Sequence, residues 1–297
     1  MSNIFILVFI FAMNLSSEIV LTTTFYDNGN VESKTYIKNG KELVIEKYDD
    51  KGAMTKTETK IPNDIVKTLH PNGKIYEEMS YKNGKINGSY KKYAQDGTLI
   101  SDCSYSDGLL EGKCAEYYEN GKLKSISEYK GGKLNGIKKT YDENGKIIDE
   151  INYKNNKKDG EYRKYHENQE IMEEGYLTNE IQDKALKKYD EFGNILSIEN
   201  FSDGKLNGLA KYFYNDGKIK EEIEYKNGAI DGFKKLYSKS GTLVAIYRYS
   251  NNLLDGVSKI YYENGEINFI DTYKKGEKTN RKCYNYLGKL EFDQDYP

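Results

Sequence analysis

The sequence predicts an all-β fold: an elongated, open antiparallel meander in a single sheet, made of tandem hairpin repeats of about 24 residues each. Three regularities predict it. Turn glycines recur at a fixed period, the segments between turns alternate apolar with polar side chains, and one aromatic residue recurs every twelve positions. In such a chain each repeat contacts only its neighbours, so we expect a long regular surface without a deep central core.

The first turn of the repeat reads Tyr118-Glu119-Asn120-Gly121 and returns as Tyr214-Asn215-Asp216-Gly217. Gln169 fills the one slot of this series that has no glycine. A fixed period of roughly 20 to 50 residues is the sequence signature of repeat proteins. The glycines of the series are separated by one repeat or a multiple of it, and they stand at Gly97, Gly121, Gly145, Gly193, Gly217, Gly241 and Gly265.

A second turn lies half a period away and reads Asn83-Gly84, followed by Lys85-Ile86-Asn87-Gly88. It returns as Asp203-Gly204 and Asn227-Gly228. Asn-Gly and Asp-Gly are the strongest short hairpin signals, because both residues tolerate positive φ. The sequence therefore assigns structural turn positions to Gly84, Gly88, Gly97, Gly121, Gly136, Gly145, Gly193, Gly208, Gly217, Gly232 and Gly265.

The short segments between turns alternate in character. One face of a representative segment carries Ile219, Glu221, Ile223 and Tyr225, while the opposite face is mostly Lys, Glu, Asp and Asn. An alternation of period two with one solvated face is typical of antiparallel strands.

An aromatic residue recurs every twelve positions from Tyr81 to Tyr273, with Leu177 as an interruption. Strands are about 4.8 Å apart, so these residues predict aromatic ladders along the sheet. The row before the second turn lies on alternate strands, about 9.6 Å apart, which leaves ring faces open to a protein partner. The same row can instead pack on the aliphatic residues of neighbouring strands. Its members are Tyr81, Tyr105, Tyr129, Tyr153, Phe201, Tyr225, Tyr249 and Tyr273.

The amino terminus differs from the rest of the chain. Ile4 to Met13 is an unbroken apolar run, too short to cross a bilayer but suited to the core of a signal peptide. We therefore expect a signal peptide over residues 1–17 and a tandem repeat domain over 18–297, less regular over 18–75, with Pro62 in a distorted repeat. The protein would then be exported: secreted, periplasmic or on the cell surface. If the apolar run is instead a strand at the end of the sheet, the protein is cytoplasmic.

The composition offers little for catalysis, cofactors or metals. The two histidines, His70 and His166, stand in turn positions that other copies give to Tyr or an acidic residue, so both are interpreted as repeat variants. With 45 basic and 47 acidic residues, no nucleic-acid partner is expected. We expect no enzyme activity, no catalytic residue, no cofactor and no metal site; membrane contact stays open.

Three cysteines do not make a disulfide framework. Cys103 and Cys114 flank one predicted turn and could face each other. We expect them to be two small buried side chains, with a disulfide bond as the alternative.

The combined pattern YxxNGK…YxNGKxxG, in more than ten copies over about residues 25–290, resembles the variant of the MORN repeat found in many bacterial proteins. The resemblance implies a sheet of hairpins and a binding role without naming a partner. Bacterial proteins of this kind include YwqK-type antitoxins of toxin–antitoxin systems, and others that are exported and act at surfaces. The apolar amino terminus and the length of the array depart from a cytoplasmic antitoxin.

Three functions are compatible with these features. The first is a non-enzymatic, exported scaffold that binds a protein partner, adhesin-like or virulence-associated. The second is an antitoxin-type protein that binds a toxin. The third is a carbohydrate or cell-wall binder that uses its aromatic ladders. Exposed Tyr is a preferred interface residue, because its rigid ring gives much contact at little cost in entropy.

Overall fold

The computed structural model describes residues 18–57 and 63–297, and within them it contains strands, bends and turns but no helix. The proposed signal peptide and Pro62 lie outside these residues. All 27 strands belong to one sheet, and nearly all pair antiparallel with a neighbour in sequence. The predicted all-β antiparallel meander is therefore confirmed. The sheet consists of two compact units.

The first unit runs to Ile147 and includes Lys154–Asn156. Its strands are β1 (Ile19–Phe25), β2 (Val31–Lys38), β3 (Lys41–Tyr48), β4 (Met54–Thr57), β5 (Ile65–Leu69), β6 (Ile75–Lys82), β7 (Lys85–Tyr93), β8 (Leu99–Ser106), β9 (Leu109–Tyr117), β10 (Leu123–Lys130), β11 (Lys133–Leu134) and β12 (Gly136–Tyr141).

The second unit comprises Ile148–Tyr153 and Lys157–Pro297. It holds most of β13 (Ile147–Lys154), together with β14 (Lys157–Tyr165), β15 (Ile171–Thr178), β16 (Ile181–Tyr189), β17 (Ile195–Ser202), β18 (Lys205–Leu206), β19 (Gly208–Phe213), β20 (Ile219–Lys226), β21 (Ala229–Tyr237), β22 (Leu243–Ser250), β23 (Leu253–Leu254), β24 (Gly256–Tyr261), β25 (Ile267–Lys274), β26 (Glu277–Tyr284) and β27 (Leu290–Asp295).

The second turn of each repeat is a two-residue hairpin. Between β6 and β7, Asn83 and Gly84 have φ of 53° and 77°. Two consecutive positive φ values define a type I′ turn, whose twist matches that of the flanking strands. Asp203 and Gly204 repeat this geometry with φ of 50° and 75°. The Asn-Gly and Asp-Gly signals therefore act in the structure as the sequence predicts.

The amino-terminal strands break the simple meander. β1 pairs antiparallel with β2 and also pairs in parallel with β5, through Ile19 opposite Val66. The local strand order is β4-β3-β2-β1-β5-β6. The sequence prediction that each strand pairs with the next is wrong here: no Asn-Gly turn directs β4 onto β5, and the fully buried Ile19 and Val66 make the contact instead.

A buried cluster stabilises this part of the sheet. Ile19, Tyr36, Val44, Val66 and Met79 form it. The rings of Tyr36 on β2 and Tyr81 on β6 are only 6.4 Å apart, although β1 and β5 lie between their strands. The sheet therefore bends here, with this face on its concave side. Burial raises the pKa of the Tyr36 hydroxyl well above its ordinary value.

Cys103 on β8 lies directly opposite Cys114 on β9, and the two are joined in a disulfide bond. The expectation of two small unpaired side chains is therefore wrong. Hairpin register explains the difference, because directly opposed side chains on antiparallel strands come close enough to bond. Cys283 is free and buried.

The buried cluster of the second unit compensates for an irregular repeat. Ile151, Tyr162 and Leu186 are buried together, with Leu177 and Phe201 packed against them. Tyr162 lies opposite Gly175, and its ring lies 2.9 Å from where a side chain at Gly175 would begin. The large ring of Tyr162 fills the space beside Gly175, so the packing stays dense near Leu177, where the aromatic series is interrupted.

Asp271 on β25 is a charged residue at a position that other repeats give to buried Ile223 or Ile151. It is 3% exposed, and Arg281 donates to both of its carboxylate oxygens at 2.6 and 2.7 Å. Lys278 adds an ion pair at 3.1 Å. Burial alone would raise the pKa of this carboxyl, but the hydrogen bonds from Arg281 and Lys278 outweigh it, so the pKa is lowered.

We predict that Asp271→Asn destabilises the protein by about 3 kcal/mol at pH 7, because it leaves Arg281 without its buried counter-charge. The pKa of Asp271 in the folded protein lies below the ordinary 3.8, so its carboxylate contributes fully to the free energy of unfolding above pH 3.8. This contribution is lost as the pH falls through the pKa of the folded protein. The loss of unfolding free energy caused by Asp271→Asn should therefore shrink as the pH falls below 3.8.

Urea denaturation of both proteins across this pH range measures the deficit. Asp293→Asn is the control, since its partner Lys282 is 42% exposed and surface pairs contribute little. A deficit for Asp271→Asn that stays constant with pH contradicts the assignment.

Candidate binding surfaces

One face of the sheet, the tyrosine face, carries the row proposed from sequence as a partner-binding site. Each member stands two residues before a type I′ hairpin turn, and all are half-buried. In the first unit they are Tyr81, Tyr105 and Tyr129; in the second they are Tyr153, Phe201, Tyr225, Tyr249 and Tyr273.

A glycine lies directly opposite most of these rings, on the preceding strand. Gly88 pairs with Tyr105 and Gly208 with Tyr225. Gly112 with Tyr129, Gly232 with Tyr249 and Gly256 with Tyr273 are further pairs. The glycine places no side chain opposite the ring. At the interruption, Leu177 lies opposite Gly160 and takes the place of the ring.

The rings of this row also contact neighbours on the same face. The Tyr105 ring lies 5.5 Å from that of Tyr90, and Tyr153 and Phe201 pack against the buried cluster of the second unit. Burial raises the pKa of the Tyr105 and Tyr153 hydroxyls. The row thus packs with one part of each ring and exposes the rest.

The opposite face, the lysine face, carries a row of cations that stand one repeat apart: Arg163, Lys187, Lys211, Lys235 and Lys259. Carboxylates on the strands between them form ion pairs. Glu174 bonds Lys187 at 3.0 Å and Arg163 at 3.6 Å. Glu222 bonds Lys211 at 3.4 Å and Lys235 at 3.6 Å.

The remaining aromatic residues of the twelve-residue series lie on the lysine face. The hydroxyls of Tyr189 and Tyr237 donate to Glu174 and Glu222, each at 3.0 Å. Hydrogen bonds from Lys187 contribute most to lowering the pKa of Glu174. The series therefore divides into two rows, one on each face, a division that follows from strand parity.

A ladder of hydrogen bonds joins the first turns along one rim. Tyr118 donates its hydroxyl to the carbonyl of Tyr141 at 2.7 Å, and Tyr214 does the same to Tyr237 at 2.8 Å. His166 occupies the equivalent position and donates from Nε2 to Tyr189 at 3.0 Å. Both histidines thus stand in for tyrosine. The donors occupy every second copy of the first turn, at Tyr26, His70, Tyr118, His166, Tyr214 and Tyr262.

All the glycines assigned to turns from sequence have positive φ. The turn assignment is wrong for four of them, which lie within strands and pair there with a neighbouring strand: Gly88 in β7, Gly136 in β12, Gly208 in β19 and Gly232 in β21. Residues 18–57 and 63–297 include no group of three His, Cys, Asp or Glu side chains that could hold a metal ion. In the same residues, no helix has the length and apolar character needed to span a membrane.

Tandem hairpins of this kind, with two chemically distinct faces, define a β-repeat protein. Six segments match the MORN repeat variant family: residues 21–39, 65–83, 110–130, 134–155, 206–227 and 254–275. The chain therefore contains repeats of the MORN variant type, and the resemblance seen in the sequence is confirmed at that level. No curated protein matches the chain.

Several solved structures are similar over most of the chain. The crystal structure of TcdB2-TccC3 is 11% identical over 93% of this chain, with a TM-score of 0.20. A structure of the Photorhabdus luminescens Tc holotoxin pore is likewise 11% identical, with a TM-score of 0.19. The chain spans 18% of each of those chains, and TM-scores this low support no inference about this protein.

We predict that Gly232→Ala destabilises the protein by about 2 kcal/mol, the scale of strain at a backbone conformation that L-residues avoid. Gly232 has φ of 133°, and an added Cβ would lie 2.6 Å from the Cβ of Glu224. Gly217→Asn is the matched control: its φ is 81° with open space around it, and Gln169 already adopts φ of 74° at the equivalent turn position.

Thermal unfolding measures both variants. The control should stay within about 1 kcal/mol of the parent, because Asn tolerates the left-handed region. Equal losses at the two positions would show that neither the conformation nor the close approach at Gly232 matters.

Proposed function

We propose that this protein is a non-enzymatic scaffold that binds a protein partner through the tyrosine face and acts outside the cytoplasm as an adhesin-like factor. The observation that carries the proposal is the half-buried aromatic row, in which ring after ring stands opposite a glycine with part of its surface open. Rings held in this way lose little entropy on binding.

The regular spacing adds to this argument. Within the second unit, Tyr225, Tyr249 and Tyr273 stand at equivalent places on successive hairpins, about 9.6 Å apart. A partner with several matching sites gains affinity from each further contact, because the later contacts form at high effective concentration.

Two observations support action outside the cytoplasm. The apolar run from Ile4 to Met13 has the length of a signal-peptide core. Cys103 and Cys114 are joined in a disulfide bond, and such bonds persist mainly in oxidising compartments.

We predict that Tyr225→Ala and Tyr249→Ala lose partner binding while the unfolding temperature falls only slightly. Binding is measured by pull-down from envelope and culture-supernatant fractions of the native cell, comparing variant with parent. Phe213→Ala, which removes an aromatic from the lysine face, is the matched control and should retain binding.

Tyr225→Phe keeps the ring opposite Gly208 and should bind as the parent does. A large fall in unfolding temperature for both alanine variants, with binding lost in proportion, would show that the row only packs. Retention on purified cell wall without any protein partner would favour the carbohydrate-binding alternative.

We predict that protein isolated from its native cell lacks residues 1–17 and is found outside the cytosol. Mass spectrometry of the intact protein from each fraction makes the measurement. A cytosolic protein that retains the apolar run would contradict export and favour the antitoxin-type alternative.

A further inference from the structure

The lysine face changes character between β21 and β25. Earlier in the second unit, Glu174 and Glu222 lie between cations of the row and pair with them. At the equivalent positions on β17, β22 and β25 the chain has Ile198, Ile246 and Ile270. Only between β22 and β25 do two isoleucines follow each other, so Lys259 has a carboxylate at this position on neither neighbouring strand. Because Leu243 and Ala245 lie on the tyrosine face of β22, the first half of that strand is apolar on both faces. A sheet face in contact with water alone is ordinarily polar.

These isoleucines belong to a continuous apolar patch. Phe233 on β21 is 42% exposed, Val244 on β22 is 38% exposed and Val257 on β24 is 47% exposed. Ile246 lies opposite Lys259, and Lys259 lies opposite Ile270. The side chains therefore form one surface across four adjacent strands.

The cations of this patch lack the carboxylates found elsewhere on the face. Lys259 has Ile246 on one side and Ile270 on the other, and it forms no ion pair with any residue the structure describes. The Arg248 guanidinium lies 4.8 Å from the Phe233 ring and forms no ion pair with the described residues either. By contrast, Lys211 and Lys235 share Glu222.

We infer that the lysine face of β21–β25 is a docking surface for an acidic amphipathic segment of a partner protein. Carboxylates of the segment would pair with Lys259 and Arg248, in the role that Glu222 has for Lys211 and Lys235. Apolar side chains of the segment would cover Val244, Ile246 and Val257. Charge complementarity selects the partner, and apolar burial supplies affinity.

The shape of the patch favours a protein segment over an anionic membrane. Valine side chains are shorter than those of Lys259 and Arg248 beside them. An apolar side chain of the partner segment can contact these valines between the two cations. Insertion into a bilayer instead needs apolar side chains that protrude from the surface. The patch lies opposite the tyrosine face, so this inference goes beyond the proposed function and can fail separately from it.

Restoring the pattern of the earlier repeats tests the inference. Ile246→Glu places a carboxylate between Lys235 and Lys259, as Glu222 lies between Lys211 and Lys235. The new carboxylate would form an intramolecular ion pair with Lys259 and would interrupt the apolar surface. Lys259→Gln is a second variant, which removes the cation and leaves the apolar surface intact.

Ile198→Glu is the matched control. Ile198 lies between Lys187 and Lys211 on the same face, outside the patch. Those two lysines already pair with Glu174 and Glu222, so a further carboxylate beside them supplies no missing partner.

The probe is a synthetic helical peptide of about 18 residues, a whole number of helical turns, with Glu on one side and Leu on the other. Its twin carries Lys in place of Glu. Fluorescence anisotropy should show binding of the acidic peptide only, weakened about tenfold by Ile246→Glu or Lys259→Gln and unchanged by Ile198→Glu. Added salt should weaken it as well.

Vesicles containing phosphatidylglycerol form the other arm. Binding to the vesicles without binding to the acidic peptide would overturn the inference, as would equal effects of Ile246→Glu and Ile198→Glu. Tyr225→Ala should bind the peptide as the parent does, so failure of the tyrosine-face proposal leaves this result unchanged.

Discussion

Hairpin register, set by the type I′ turns, is the constraint on which the repeat depends. The register places a glycine directly opposite a tyrosine on the next strand, as with Gly88 and Tyr105. Because side chains alternate with a period of two, a slip of one residue would move every tyrosine of the row to the other face. The turns therefore determine which side chains share a face.

The two faces of the sheet differ in how much apolar packing accompanies their ion pairs. On the tyrosine face, rings and small residues fit together beside pairs such as Lys188 with Glu199, and the buried Asp271 is neutralised by Arg281. On the lysine face, cations and carboxylates of adjacent strands pair at the surface, where each pair contributes little. Substitutions on the lysine face are therefore less costly, which leaves that face free to diverge, as it does at Ile246 and Ile270.

Much of the fold could be predicted because the turns, the alternation and the twelve-residue spacing depend on residues that are close in sequence. The contact of Ile19 with Val66 joins distant residues with no turn signal between β4 and β5, so it could not be predicted. The glycine–tyrosine pairs recur at a constant interval, but only the register shows that the two residues face each other. The site was less predictable still. Aligning the repeats reveals where isoleucine replaces glutamate, yet only the register shows that these isoleucines flank Lys259 on both sides.

The hydrogen bonds that join the first turns determine how many hairpins can be added to the array at once. A donor turn such as that of Tyr118 is followed by an acceptor turn, in which Asp142 accepts from the backbone of Asn144 and Lys146 instead. Duplicating or deleting two hairpins together preserves this alternation, whereas changing the array by one hairpin would place two donor turns or two acceptor turns side by side. Lengthening by recombination is therefore expected to proceed in steps of two hairpins, the distance along the chain from Tyr118 to His166.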